Sequence, residues 1–236
     1  MTSHRSTGPR RDSTTRRRVF AIAAGGAVLG LGVTATLAAW TDTEWVFGGD
    51  GTGGPGIGTS TFEILQNTVA PFDDPADWVN EDANPGGEIT FGVDALALSP
   101  GVSVYAAVAL QTSDSSLAGD VLLQSAVPAA GIAQDDPGDL LYDALEVRVA
   151  TDDALFDCDL TAFSGAPGAP GVIADGPLAT TGGAAEQSLL ALAGSTQYYC
   201  FEVTLPAGFT PAPGSTLDDY MGRTFAPAWV FDGETA

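Results

Sequence analysis

The sequence predicts an all-β protein of the jelly-roll or β-sandwich type, with one or two short helices and an N-terminal signal helix in front of it. Three observations predict this class. Several short segments alternate apolar and polar residues with the period of two that is typical of half-buried strands. The 30 Gly and 15 Pro are scattered along the 236 residues, which disfavours long helices. No helical pattern alternates with the strands, and this favours a sandwich over a parallel sheet.

Residues 1–38 are predicted to be a secretory signal. Six of the eight basic residues lie in the first 18 positions, and an uncharged run from 19 to 39 follows them. The run closes on small residues, which is the pattern that signal peptidases cleave, and we expect the cut between Ala38 and Ala39. About 20 apolar residues can also span a bilayer, so a retained anchor is the alternative. Arg17 and Arg18 precede Val-Phe as in a twin-arginine motif, which leaves the export route open between the general and twin-arginine pathways.

The segment 39–58 is predicted to be a short apolar strand followed by a flexible tether. The strand contains Trp40, Trp45, Val46 and Phe47, and seven Gly fall between positions 48 and 58. A stretch so rich in Gly cannot pack a core and behaves as a linker. The strand could fold back onto its own sheet. It could also dock into a neighbouring subunit through main-chain hydrogen bonds and side-chain pockets.

The remainder, 59–236, is predicted to be the β domain. Its strands are expected at Ser60–Gln66, Glu88–Val93, Val102–Thr112, Leu145–Val149, Gln197–Leu205 and Thr224–Phe231. Two stretches, Ser116–Val127 and Ala185–Ala193, are candidates for short helices.

The alternation within these strands also predicts which side chains share a face. Ile89, Phe91 and Val93 are expected on one face of their strand, and Val104, Ala106 and Val108 on one face of the next. Glu146 and Arg148 are expected to point outward. Pro227 suggests that the last strand lies at a sheet edge, because proline cannot donate a ladder hydrogen bond.

Two cysteines, Cys158 and Cys200, are the only ones in the chain, and both follow the signal. An even number of cysteines in an exported protein favours a disulfide. A thiol nucleophile is disfavoured, because no histidine follows residue 4 to act as its base.

The charge distribution excludes several function classes. After residue 38 there are 29 of the 30 acidic residues, only two basic residues (Arg148 and Arg223), and no lysine. Such a surface repels phosphate backbones, so we expect no nucleic-acid partner. The single histidine is His4, so the exported part lacks a Ser-His-Asp triad and a histidine-ligated zinc.

Acidic clusters lie beside Pro or Gly in predicted loops: Asp73-Asp74, Asp135-Asp136 with Asp139, and Asp152-Asp153 with Asp157 and Asp159. The simpler interpretation is a solvated surface that keeps an exported protein soluble. The alternative is calcium binding by loop carboxylates, although none of the clusters matches a known calcium-loop spacing. No other cofactor is expected.

The junction from Ala38 to Trp45, Ala-Ala-Trp-Thr-Asp-Thr-Glu-Trp, resembles the start of the mature chain in TasA/camelysin-like proteins. Leu98–Gly101 before Tyr105, the Cys200 strand from Tyr199 to Pro206, and Trp229–Phe231 resemble further segments in the actinobacterial branch of that family. The resemblance implies processing by a dedicated (SipW-type) signal peptidase, a jelly-roll domain, and export to the cell surface. It also implies matrix fibres in which an N-terminal strand is donated to the next subunit. The metalloprotease label of camelysins has no chemical support here, because the chain has no His-Glu-x-x-His.

These observations favour a secreted, non-enzymatic cell-surface or extracellular-matrix protein, including a biofilm fibre subunit that assembles by donor-strand exchange. Its expected partners are the signal peptidase during export, then further copies or other matrix proteins. It would contact the membrane only through the uncleaved signal. The alternatives are a monomeric secreted module that binds a ligand or calcium, and an extracellular hydrolase that uses two carboxylates.

Overall fold

The computed structural model describes residues 43–236 apart from positions 47 and 53, so the predicted signal, its cleavage site and Trp40 lie outside the described residues. Within the described part the chain divides into two compact units, one ending at Gly58 and the other running from Thr59 to Ala236. Among these residues, no helix has the length and hydropathy that a membrane-spanning segment requires.

The larger unit is an antiparallel, sandwich-like β fold, as the sequence predicts. One sheet has five strands in the order β1-β2-β8-β5-β6, a second has three in the order β10-β3-β7, and β4 pairs with β9 in a small third sheet. The strands are β1 Ile64–Asn67, β2 Ser103–Thr112, β3 Gly119–Leu123, β4 Val127–Pro128, β5 Glu146–Asp152, β6 Gly171–Pro177, β7 Gln187–Leu189, β8 Thr196–Thr204, β9 Pro227–Ala228 and β10 Phe231–Thr235.

Helical structure is short in the described residues. A single α-helix, α1, covers Leu140–Ala144, and 3-10 turns cover Pro75–Asp77, Val93–Ala97, Leu160–Phe163 and Leu217–Tyr220. Both predicted helices are wrong. The stretch 116–127 contains β3 and the start of β4, and the stretch 185–193 contains β7, which pairs with β3. The physical reason is tertiary, because alternating apolar side chains in β3, such as Val121 and Leu123, are buried against the other sheet.

The hydrophobic core lies between the five-stranded and three-stranded sheets. Buried valine and aromatic side chains from β2, β5 and β8 meet buried side chains from β3 and β7; they include Val104, Val108, Val147, Val149, Tyr199, Phe201, Val121, Leu123 and Leu189. The rings of Tyr199 and Phe231 lie 4.8 Å apart between centroids, which joins β8 to β10 across this core. The predicted inward face of Val104, Ala106 and Val108 is confirmed.

Two predicted strands differ from the structure. The stretch 88–93 is not a strand; it is a loop that enters the 3-10 turn at Val93–Ala97. Ile89 and Phe91 still contact the core, so their alternation with polar residues reflects burial and not pairing with another strand. Gly92, with a φ of 82°, takes the backbone out of the extended conformation that a strand requires. The predicted strand 224–231 is replaced by β9 and, further on, β10. Pro227 lies in the two-stranded sheet of β4 and β9, in which both strands are edge strands. A proline is tolerated there because one side of each strand forms no hydrogen bonds with a further strand.

The smaller unit, in its described residues, contains a hydrogen-bonded turn organised by Asp50. The Asp50 carboxylate accepts hydrogen bonds from the backbone N–H of Thr52 at 2.8 Å and of Gly54 at 3.0 Å. The backbone N–H of Gly56 donates to the carbonyl of Gly48 at 3.1 Å. A Cβ atom on Gly56 would overlap the backbone of Gly49, so glycine is required at this close approach. The hydrogen bonds from Thr52 lower the pKa of Asp50.

Candidate functional site

A row of polar side chains crosses four strands on the outer face of the five-stranded sheet. The strand registers place Tyr105 of β2 opposite Glu202 of β8, Glu202 opposite Arg148 of β5, and Arg148 opposite Asp175 of β6. Opposite residues on one face of an antiparallel pair are close enough to interact directly. We call Tyr105, Glu202, Arg148 and Asp175 the polar row.

Glu202 is the centre of the polar row. Its Oε1 accepts a hydrogen bond from the Tyr105 hydroxyl at 3.0 Å, and its Oε2 accepts one from Nε of Arg148 at 2.5 Å. Nη2 of Arg148 also contacts Oε2. The Glu202 side chain is 4% exposed, whereas that of Arg148 is 32% exposed. A buried carboxylate is costly unless it is paired and hydrogen-bonded, and here three donors satisfy it.

An arm formed by residues 153–170 covers one side of the polar row. The guanidinium carbon of Arg148 lies 4.7 Å from the centroid of the Phe163 ring, which is a cation–π distance. The Tyr105 ring lies 6.2 Å from the same ring. Ala162 and Phe163 are buried in a small second core on this outer face, together with Ala150. The arm therefore shields the ion pair from water on one side.

The predicted disulfide between Cys158 and Cys200 is confirmed, and it holds this arm. The two Cα atoms lie 5.2 Å apart, and Cys200 is fully buried in β8 two residues before Glu202. Because alternate residues of a strand share a face, the disulfide and the polar row lie on the same side of the sheet. A disulfide of this kind is consistent with an oxidising environment.

The electrostatics of the polar row favour a structural role for its buried members. Burial raises the pKa of the Tyr105 hydroxyl, and the hydrogen bond to Glu202 raises it further. Tyr105 therefore keeps its proton and remains a donor at neutral pH. With three donors directed at it, Glu202 has little remaining capacity to bind a substrate from solution.

An open depression of about 200 Å³ lies beside the row. Its lining includes Ser103, Thr204, Glu146, Asp175 and Arg148. The Ser103 and Thr204 hydroxyls are bonded to each other at 2.5 Å, and Glu146 and Asp175 are exposed. The depression thus offers two solvated carboxylates and one guanidinium to a polar ligand.

The predicted N-terminal site residues are described only in part. Trp45 is 92% exposed and Val46 is 94% exposed. Ala38, Ala39, Trp40 and Phe47 lie outside the described residues.

The acidic clusters cap turns and helix ends. Asp136 forms an ion pair with Nη1 of Arg223 at 2.7 Å and accepts the backbone N–H groups of Leu141 and Tyr142 at 2.9 Å each. Asp159 accepts hydrogen bonds from Thr161, which lower the pKa of that carboxyl. In the part of the chain that the structure describes, no three potential metal ligands converge.

Sequence reasoning did not bring Tyr105, Glu202 and Asp175 together with Arg148. One signal was available: Arg148 is one of two basic residues after position 38, and it lies in an alternating strand. An isolated arginine in a half-buried strand predicts an acidic partner on the neighbouring strand. The identity of that partner depends on strand order, which the sequence pattern does not specify.

No family model matches the chain, and no curated protein matches it either.

Proposed function

We propose that this chain is an exported, non-enzymatic cell-surface or extracellular-matrix protein of the TasA/camelysin type. In this proposal the signal is cleaved between Ala38 and Ala39, and the freed N-terminal segment binds another copy as an added strand. The carboxylate-rich surface keeps the exported protein soluble until copies associate.

The observation that carries the proposal is the exposure of Trp45 and Val46. Two adjacent large apolar side chains, each more than nine-tenths exposed, are separated by six residues from the end of a sequence with the features of an export signal. Contiguous exposed apolar surface marks an interaction site in soluble proteins more often than isolated apolar residues do. An extended apolar segment suits strand addition, in which main-chain hydrogen bonds provide affinity and alternate side chains fill pockets.

Three further observations support export and a non-enzymatic role. The Cys158–Cys200 disulfide is consistent with an oxidising compartment outside the cytoplasm. The exported part has no histidine and no lysine, which removes the commonest general bases and Schiff-base nucleophiles. The buried carboxylate of the polar row is already occupied by Tyr105 and Arg148.

The test compares the chain that begins at Ala39 with one that lacks residues 39–48. We expect the first to form fibres or other large assemblies under the electron microscope and the second to remain dispersed. A matched control replaces Leu192, which is 64% exposed in the larger unit, with Ser and should assemble normally. Equal assembly with and without residues 39–48 would remove the donor role. An intact chain that stays monomeric would favour the ligand-binding alternative.

A further inference from the structure

The edge strand β1 covers only half of its neighbour β2. The four residues of β1 pair with Ala109–Thr112. The first six residues of β2, Ser103–Val108, pair with β8 on one side. On the other side, no strand pairs with them among the described residues. A strand edge without a partner is a template for another strand.

The hydrogen-bond pattern identifies which backbone groups face this open side. The N–H of Ser113 donates to the carbonyl of Glu63, so odd-numbered residues of β2 direct their backbone groups towards β1. In an antiparallel pair these groups alternate strictly along the strand. The N–H and C=O groups of Ser103, Tyr105 and Ala107 therefore face the side that β1 leaves open.

A depression of about 450 Å³ lies along this half-edge. Its lining consists of Phe91, Asp94, Ala97 and the backbone stretch Val102–Tyr105. No residue of β8 contributes to it, so it lies on the open side of β2. Phe91 continues into the core, where its ring lies 6.4 Å from that of Trp229. The depression therefore combines unpaired main-chain groups with an apolar inner wall.

We propose that this half-edge of β2 is the acceptor site for the N-terminal segment 40–47 of a second copy. The proposal rests on the proposed function and names the surface that receives the donated strand. The incoming strand would continue the line of β1 and pair with Ser103, Tyr105 and Ala107. Its apolar side chains would enter the depression beside Phe91.

Length and side-chain pattern favour this occupant. The open half-edge is six residues long, or about 20 Å, and the eight residues of segment 40–47 span about 26 Å when extended. Trp45 and Phe47 lie on the same face of an extended segment, so both can point to the inner wall. Glu44 and Val46 then face outward.

Two of the other sheet edges, those of β10 and β6, are less suitable for an acidic donor. The edge strand β10 carries Asp232 and Glu234, both exposed. The edge strand β6 carries Asp175 and ends at Pro177, which cannot donate a hydrogen bond. The lining of the β2 depression contains one carboxylate, that of Asp94. Like charges placed opposite each other across a strand pair destabilise it.

A cross-linking experiment tests the acceptor site directly. Trp45 is replaced by p-benzoylphenylalanine in the chain that begins at Ala39, and copies with ¹⁴N and ¹⁵N are mixed and irradiated. Because the exported part contains only two arginines, a protease that cleaves after acidic residues is used before mass spectrometry. We expect mixed-isotope adducts between residue 45 and the region 89–105. The same probe at Leu192 should give none there.

The possible results of this experiment distinguish failure of the acceptor site from failure of the proposed function. Mixed-isotope adducts on β6 or β10 overturn the acceptor site and leave donor-strand assembly standing. Adducts within a single copy overturn the acceptor site as an intersubunit contact. Absence of both assembly and mixed-isotope adducts overturns the proposed function as well.

A backbone variant provides a second test. Ser103→Pro removes one N–H that faces the open side, and proline is tolerated at the first residue of a strand. Ser103→Ala keeps that N–H and, like the proline variant, loses the hydroxyl that contacts Thr204. We expect the proline variant to have an association constant about tenfold lower than the alanine variant, with similar thermal unfolding. Equal association by two folded variants overturns the acceptor site, and if the proline variant does not fold, the cross-linking result decides.

Discussion

Arg148 on β5 and Glu202 on β8 form an ion pair in which the carboxylate is 4% exposed and the guanidinium is 32% exposed. The pair is held from both sides, by the Tyr105 hydroxyl and by the ring of Phe163. The two partners therefore differ in what their loss would cost. If Glu202 is removed, the Arg148 side chain can extend into solvent. If Arg148 is removed, the carboxylate of Glu202 stays buried and cannot reach water.

Removal of the arginine should destabilise the fold. Arg148→Met leaves Glu202 buried with Tyr105 as its remaining side-chain donor, and we expect a loss of about 2 kcal/mol after allowance for the partial exposure of the pair. The double variant Arg148→Met/Glu202→Gln should recover more than half of this loss, because no unpaired charge remains. Urea unfolding of the parent, of Arg148→Met, of Glu202→Gln and of the double variant measures the coupling. Strictly additive losses would contradict the proposed pairing energy.

Loss of the disulfide should release the arm before the sandwich unfolds. The closed loop spans 42 residues, for which the chain-entropy model gives about 4 kcal/mol. We expect Cys158→Ala/Cys200→Ala to reduce the free energy of unfolding by roughly 2–4 kcal/mol. Hydrogen exchange should accelerate first at Ala162 and Phe163, the arm residues that are buried against the sheet in the small second core. Exchange that accelerates equally in β3 would contradict a local release.

Gly119 lies at a close approach between β3 and β10. A Cβ atom there would overlap the carbonyl oxygen of Glu234 and the ring of Phe62. We expect Gly119→Ala to cost about 1–3 kcal/mol, since overpacking forces the backbone to shift. Gly208→Ala is the matched control, because its Cβ would enter open space and the change should be neutral or stabilising. Similar midpoints of thermal unfolding for the two variants would contradict the close approach.

One buried tyrosine, Tyr199, and two half-buried ones, Tyr105 and Tyr142, should make the fold sensitive to alkali. Burial raises the pKa of Tyr199 above its ordinary value, and burial also raises those of Tyr105 and Tyr142. Because the folded state holds these protons more tightly, stability is fully present below about pH 10. It decreases as the pH rises above that value and the unfolded chain ionises first.

The variant Tyr199→Phe isolates this contribution. The Tyr199 hydroxyl is buried near Thr151 but forms no hydrogen bond of good geometry among the described residues, so its removal should cost little at neutral pH. Urea unfolding between about pH 8 and pH 11 should show a smaller decrease for Tyr199→Phe than for the parent chain. An identical decrease in both proteins would place the alkaline sensitivity elsewhere.

The sequence was sufficient to predict the fold class and the three long strands of the five-stranded sheet. β2 and β5 alternate, and the buried positions of Val104 and Val108 follow from that pattern. β8 is instead marked by its aromatic and β-branched residues. The disulfide followed from the number of cysteines. These features depend on local periodicity and composition, which a single sequence displays directly.

The features that the sequence did not predict depend on long-range pairing. β3 is short and lies in an apolar stretch that suits either a helix or a strand, and its identity as a strand is set by β10 and β7 on either side. The polar row required the order β2-β8-β5-β6, in which neighbours in space are far apart along the chain. β6, which contains Gly171, Gly176 and Pro177, has a weak strand pattern and is formed by pairing with β5.

The most direct test of the proposed assembly is sedimentation velocity of the chain that begins at Ala39, measured over a range of protein and salt concentrations. The surface is strongly acidic, so copies repel one another and association should increase with ionic strength as the charges are screened. We predict species many times heavier than one chain at high salt, and their loss when residues 39–48 are removed. A single monomeric species at every protein and salt concentration would contradict the account.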